Sequence, residues 1–198
     1  MKAKEAIEIG KKNNAVMVDL KFCDLLGQWQ HTSVPVHRLD EDAFEAGFGF
    51  DGSSIRGWKA INESDMLLLP DPSTAVMDPF MAQPTLSLIC DISDPISKQP
   101  YGRDPRQIAK KAETYLKSTR IADTLFCGPE AEFFIFDSVR YEVKPENQFF
   151  AVDSEEASWN TGTGDKNLGY KIRPKHGYFP VAPHDKLMDI RTEMCMAM

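Results

Sequence analysis

The sequence predicts an α+β fold, strand-rich over its first hundred residues and more irregular after that. Three observations predict it. Apolar, β-rich runs at residues 16–23, 29–34, 66–69 and 85–90 are too short for helices and are bounded by turn residues. Helical spacing is confined to brief stretches at residues 3–12, 39–46 and beyond 104. A stretch marked by Pro and Gly, from Pro95 to Pro105, separates the strand-rich part from the rest, giving domains over residues 1–100 and 101–198.

The first element, Ala3 to Lys12, is a short amphipathic helix. Val16 to Cys23 alternates partly and reads as a strand, and Gly27 marks a hairpin turn leading to a second strand from Trp29 to Val34. Leu39 to Ala46 is a brief helix with acids in its first turn and Gly47 as its stop. A loop from Gly47 to Asp65 precedes the strands at Met66–Leu69 and Thr85–Cys90. The next helix is well signed, with Asp104 as N-cap, Pro105 at its first position and Gln107 placed to close a capping box. Ile108, Ala112, Tyr115 and Leu116 then recur at helical spacing.

Leu125 to Phe136 reads as a strand, and Val143 to Pro183 as a long loop kept ordered by Phe149, Phe150, Trp159, Tyr170, Tyr178 and Phe179. A last helix begins near Asp185 and places Leu187, Met188, Ile190, Met194, Cys195 and Met198 on one face. That face is still apolar at the final residue, so the expectation is a chain that stops inside a core.

The chain of 198 residues is 42% hydrophobic, enough to bury a core. Its net charge of −7, with no basic run, argues against nucleic acid or an anionic membrane surface as a partner. The N-terminus lacks the apolar stretch of a signal peptide, and no window approaches the roughly 18 apolar residues of a membrane span. Cys23, Cys90, Cys127 and Cys195 are scattered without a C-x-x-C pair, which predicts buried free thiols and a cytoplasmic protein.

Three stretches carry candidate chemistry. Gly47-Phe-Gly-Phe-Asp-Gly52 satisfies G-x-G-x-x-G, but a helix precedes it and no helix opens after it, so dinucleotide binding does not follow. The Asp51-Gly-Ser-Ser54 segment can equally form a plain Asx turn. In Gly128-Pro-Glu-Ala-Glu-Phe133, Glu130 and Glu132 fall on one face of the expected strand. If buried, the pair raises its own pKa values unless a hard cation such as Mg²⁺ or Mn²⁺ relieves it; if exposed at a strand end, Lys or Arg suffices. The third stretch is Gly177-Tyr-Phe-Pro180 followed by Asp189-Ile-Arg-Thr-Glu-Met194, where Asp189, Arg191 and Glu193 read as a structural helical charge set. His176 and His184 are isolated loop histidines without metal-ligand spacing.

Taken together, Phe50-Asp-Gly-Ser-Ser54 with Trp58 and Glu63-Ser-Asp-Met66, then Gly-Pro-Glu-x-Glu-Phe, then Gly-Tyr-Phe-Pro, resemble bacterial class I glutamine synthetases in the order of their motifs. Lys21-Phe-Cys-Asp-Leu-Leu-Gly27, Leu69-Pro-Asp-Pro72 and Val152 to Asn160 extend the resemblance over nearly the whole chain. It implies a small β-grasp-like N-terminal domain followed by the start of a catalytic domain, an antiparallel sheet with helices, cut short. The implied activity is ATP-dependent ligation of ammonia to L-glutamate through γ-glutamyl phosphate, with the fragment inactive by itself.

By resemblance, Asp51 draws the ammonium and helps deprotonate it on a neighbouring subunit's site, Ser54 lies in the same pocket, Trp58 helps wall the site, and Tyr178 lines it. Glu130 is implied as ligand of the metal serving ATP, and Glu132 of the metal nearer glutamate. Both sites are completed by residues beyond this chain, with Mg²⁺ or Mn²⁺ as the ion and ATP as substrate. The implied assembly is a homo-oligomer of two stacked hexameric rings. Intact Asp-Gly-Ser-Ser argues against a γ-glutamyl ligase for another amine, and the presence of Asp51, Glu130 and Glu132 against a non-catalytic relative.

Overall fold

Alternating burial along short strands builds the first part of the chain. The computed structural model describes residues 1–162 and 171–198, so Tyr170 lies outside the described residues. They form two compact units, Met1–Cys127 and Gly128–Met198.

In the first unit, α1 (Ala3–Lys12) leads to the antiparallel hairpin of β1 (Met17–Cys23) and β2 (Trp29–Pro35). The Asp24 carboxylate fixes the hairpin's turn by accepting the Leu26 and Gln28 amides at 2.9 and 3.0 Å, while Gly27 takes a φ of +83° that side chains disfavour. The turn of α2 (Ala43–Ala46) precedes β3 (Phe48–Asp51), β4 (Asp65–Pro70), the two-residue β5 (Val76–Met77) and β6 (Thr85–Ser93). The sheet order is β2-β1-β6-β4-β3, with β5 also paired to β6. Only β1 and β6 run parallel; the other pairings are antiparallel.

The two central strands carry the core. Val18, Leu20 and Phe22 of β1 and Leu86, Leu88, Cys90 and Ile92 of β6 point to one face, joined by Met66 and Leu68 of β4. Each fully buried leucine there contributes about 1.5–3 kcal/mol. Ala6 and Gly10 of α1 are buried too, and a Cβ at Gly10 would stand 3.4 Å from Leu86, so small residues let this helix lie close to the sheet.

The helix α3 (Pro105–Thr119) is capped as expected, Asp104 accepting the Arg106 amide at 2.9 Å. Its apolar stripe does not hold it: Ile108 and Tyr115 are exposed. Polar ties do so instead. The buried Asp104 also accepts the Ile92 amide of β6 at 3.0 Å, and Arg106 bridges Asp71 at 2.5 Å and Asp91 at 2.6 Å, with Lys110 paired to Asp91 as well.

The second unit departs further from expectation. Residues 125–136 form no strand: no ladder pairs them among the described residues, and Phe126 and Phe134 are exposed. An extended segment becomes a strand only when a neighbour takes up its amides and carbonyls, and here none does. The ladder starts later, with β7 (Ser138–Val143) and β8 (Gln148–Asp153) forming a hairpin where an irregular loop was expected. The last helix, α4 (Met188–Ala197), has no buried residue. Its Arg191 pairs not with Asp189 or Glu193 but with Asp185, which it reaches with both guanidinium arms. Of the four thiols, Cys90 is buried, Cys23 half-buried, and Cys127 and Cys195 exposed, so burial holds for only part of the set. No helix among the described residues is long and apolar enough to cross a membrane.

Candidate active site

Strand β3 ends at Asp51, and the chain turns at once into a single 3-10 turn, Gly52–Ser54. Gly52 is required there by close approach, since a Cβ would sit 2.2 Å from Met66 Sδ and 3.0 Å from the Ser64 carbonyl. The turn grips the exposed Asp51 carboxylate. One oxygen accepts the Ser53 amide at 2.8 Å and the Ser53 hydroxyl at 2.6 Å, and the other accepts the Ser54 hydroxyl at 3.3 Å. The Ser53 hydroxyl first, then its amide, hold the Asp51 carboxyl below the ordinary carboxylate range. Asp51 is therefore an ionised, oriented, solvent-facing anion.

A second acid stands beside it that sequence reasoning assigned no role. The β3–β4 register places Asp65 directly opposite Asp51, and like charges so placed repel unless a cation joins them. Glu63-Ser-Asp-Met66 was visible as a motif, but only the strand register reveals the pairing.

The far end of the loop is anchored in the core. Trp58 is only 4% exposed, with its ring 5.4 Å from Phe22 and 5.3 Å from Tyr101 between centroids, so it supports the loop from beneath rather than walling a site. Tyr101 donates its hydroxyl to the Trp58 carbonyl at 2.7 Å, and Arg103 donates to the Gly57 carbonyl at 2.6 Å. Neither anchor was foreseen, because both lie in the stretch that reads as a linker.

In the second unit, Glu130 and Glu132 are exposed on the unpaired extended segment, so the burial penalty argued for a strand pair does not arise. Tyr178 is exposed too, its ring 4.4 Å from Phe179. A cavity of about 660 Å³ lies between the two motifs: Phe133 to Phe136 and Gly177, Phe179 and Pro180 line it, with Asp185 and Arg191 at its polar side, but Glu130, Glu132 and Tyr178 do not. No group of three or more His, Cys, Asp or Glu suited to a metal occurs among the described residues. Glu130 and Glu132, both exposed, are hard oxygen donors of the kind Mg²⁺ takes.

The mixed sheet with its few helices defines the class, an α+β protein. A family model described as glutamine synthetase, beta-Grasp domain, matches residues 14–95, and one described as glutamine synthetase, catalytic domain, matches residues 102–198. The chain belongs to the glutamine synthetase family. Among its relatives, glutamine synthetase of Azorhizobium caulinodans is 54% identical over 99% of this chain and 42% of its own length. That of Methylococcus capsulatus is 55% identical over 98% and 42%. A solved structure of Plasmodium falciparum glutamine synthetase superposes with a TM-score of 0.78 at 27% identity, covering 100% of this chain and 39% of that one. The chain thus spans about two fifths of the length of the relatives it matches.

Proposed function

We propose that this chain serves, within a longer enzyme, the ATP-dependent ligation of ammonia to L-glutamate through γ-glutamyl phosphate. The observation that carries the reading is the Asp51 carboxylate, held ionised by Ser53 and Ser54 on a loop whose other end is tied into the core. Ammonium is no nucleophile until it loses a proton, and a fixed anion both attracts the cation and stabilises the proton's departure. Asp51 is the group for that work, Ser54 keeps its second oxygen in place, and Asp65 adds to the local negative potential. Tyr178, with an exposed hydroxyl on an apolar ring, is proposed to line the ammonium pocket.

Glu130 and Glu132 would each contribute to one of two divalent metal sites completed by residues outside this chain. When bound, Mg²⁺ or Mn²⁺ there neutralises the negative oxygens that phosphoryl transfer brings together. The domains divide near residues 100 and 101. The chain alone is proposed to be inactive, and the working form is a cytoplasmic homo-oligomer of two stacked hexameric rings. Support comes from the family membership, from the exposure of both glutamates, and from an acidic loop that faces solvent rather than the core of its own unit.

The test is steady-state glutamine formation by the full-length protein carrying this chain, with Asp51→Asn and Ser54→Ala. Expected is a loss of at least about a hundredfold in kcat with ammonia for Asp51→Asn, within the usual span of a proton-transfer group, and a smaller loss for Ser54→Ala. Wild-type activity retained in Asp51→Asn would refute the role.

A further inference from the structure

Of the twelve glycines in the chain, only Gly52 follows an aspartate or an asparagine. The pair Asp51-Gly52 carries a chemistry that the ligase reading does not use. In an Asp-Gly unit the glycine nitrogen can attack the aspartate Cγ, because no Cβ on the glycine hinders its approach. An N–Cγ bond forms and one water leaves, giving a five-membered succinimide. Water then re-enters at either ring carbonyl. Entry at the former main-chain carbonyl breaks its bond to nitrogen, so the chain runs on through Cγ as isoaspartate and the α-carboxyl becomes the side group. Mass is unchanged and no co-reactant is needed.

The structure exposes this pair to the reaction and holds it back in three ways. Asp51 is exposed at the end of β3, so water reaches its carboxyl. The attacking nitrogen is occupied: Gly52 is buried and donates its amide to the Ser64 carbonyl at 2.7 Å. Its direction is wrong as well. Asp51 has a ψ of 102°, which turns the Gly52 nitrogen away from Cβ, whereas ring closure needs the two eclipsed about the Cα–C bond. The third restraint is on the target. A carboxylate loses an oxygen far less readily than a carboxylic acid, and the Ser53 hydroxyl and amide and the Ser54 hydroxyl keep it ionised. All three restraints sit in one turn, and the other end of its loop is tied down by Tyr101 on the Trp58 carbonyl and Arg103 on the Gly57 carbonyl.

We propose that Asp51-Gly52 is a spontaneous modification site closed by the fold, which isomerises to isoaspartate whenever this turn opens. Opening must free the Gly52 amide from Ser64 and rotate ψ, so the protection is set by a local equilibrium and not by global unfolding. Isoaspartate adds a methylene to the main chain and leaves the carboxylate directly on Cα, out of place for the two serines. On the ligase reading that is an irreversible loss of the anion at the ammonium pocket, but the modification itself does not rest on that reading.

The test is incubation of the full-length protein carrying this chain at neutral pH and physiological temperature, followed by peptide mapping with isoaspartyl methyltransferase labelling. A synthetic peptide of residues 45–58 sets the unprotected rate. Isoaspartate at position 51 is expected to form at least about tenfold more slowly in the folded protein than in the peptide, and Ser53→Ala and Tyr101→Phe are each expected to speed it at least about threefold. Val18→Ala, which weakens the core away from the turn, controls for global unfolding and should leave the rate unchanged. Equal rates in folded protein and peptide overturn the proposal, as does a peptide that forms no isoaspartate. Unchanged rates in both Ser53→Ala and Tyr101→Phe overturn it too, and so does a Val18→Ala protein that isomerises as fast as Tyr101→Phe. Activity of the incubated protein is scored separately: isoaspartate formed without loss of activity upholds the modification and counts against the ammonium role of Asp51.

Discussion

Replacing Gly52 by alanine puts a methyl group where the structure leaves no room for one. The added carbon would stand 2.2 Å from Met66 Sδ, 2.7 Å from Met66 Cγ and 3.0 Å from the Ser64 carbonyl oxygen. Met66 is 1% exposed within the core, so its sulfur cannot simply swing into solvent. The Ser64 carbonyl cannot retreat either without losing the Gly52 amide, which it accepts at 2.7 Å. Forcing a methyl into such a site costs about 1–3 kcal/mol, and two obstructing groups argue for about 2. For a unit of this size that is a fall in Tm on the order of 8 °C, read by thermal denaturation. The origin of the loss is checked by a double-mutant cycle with Met66→Ala. That variant alone costs about 2–5 kcal/mol, but in its background alanine at position 52 should cost only about 1, the part left to the Ser64 carbonyl. A Gly52→Ala protein within about 0.5 kcal/mol of wild type, or an unchanged penalty in the Met66→Ala background, would refute the packing argument. The same displacement should move Asp51, so activity of the full-length protein is expected to fall with stability.

Arg106→Met removes both contacts of the Asp71–Arg106–Asp91 bridge and should cost about 2–3 kcal/mol in urea denaturation at neutral pH, with Arg106→Lys recovering only part because an ammonium cannot fork to two carboxylates. Burial opposes the Asp71 charge, but hydrogen bonds from Ser73 and Arg106 outweigh it and hold the Asp71 carboxyl at about 2, against an ordinary 3.8. A depressed carboxylate stabilises the fold fully above its unfolded value, and that stability is lost as pH falls from about 4 through about 2. The shift corresponds to about 2 kcal/mol, or about 1 after solvent screening, and Asp71→Asn should flatten this limb of the stability profile. Tyr101→Phe deletes the hydroxyl bound to the Trp58 carbonyl and should cost about 1 kcal/mol, with faster amide hydrogen exchange at Gly57 and Trp58; unchanged exchange would show the loop to be held some other way.

Much of the first unit was legible because its signals are local. The helix at residues 3–12 and the strands beginning near residues 16, 29, 66 and 85 follow from short-range periodicity, and each is present to within a few residues. The strand at Phe48–Asp51 is hidden by its glycines and has only four residues. In the second unit the alternation of Val139, Tyr141 and Val143 carries a strand signal, but the polar stretch around it reads as loop. Conversely, residues 125–136 have the composition of a buried strand, and no composition can supply the partner that would make them one. At the candidate site, the grip of Ser53 and Ser54 on Asp51 is an i to i+2 and i+3 affair and could be read from Asp-Gly-Ser-Ser. Asp65 opposite Asp51 depends on register, which the sequence alone does not specify.

The role proposed for Asp51 requires a carboxylate that is both charged and stationary, and those two requirements fall to different parts of the chain. Charge is set within four residues, by the serines that follow Asp51. Position is set across more than forty residues, by Tyr101 and Arg103 reaching back to the Trp58 and Gly57 carbonyls. Tyr101 is the last residue between the segments matched by the two family models, 14–95 and 102–198, and Arg103 lies just inside the second. The stretch that composition marks as a linker therefore also fastens the Asp51 loop. An insertion between Ser97 and Gly102 should consequently do more than lengthen a connection: it would detach Tyr101 from Trp58, leaving Asp51 ionised but no longer fixed. In the full-length protein, activity on ammonia should fall while the Asp51 carboxyl stays below the ordinary range. A linker insertion that leaves activity intact would mean that the core packing of Trp58 alone suffices to hold the loop.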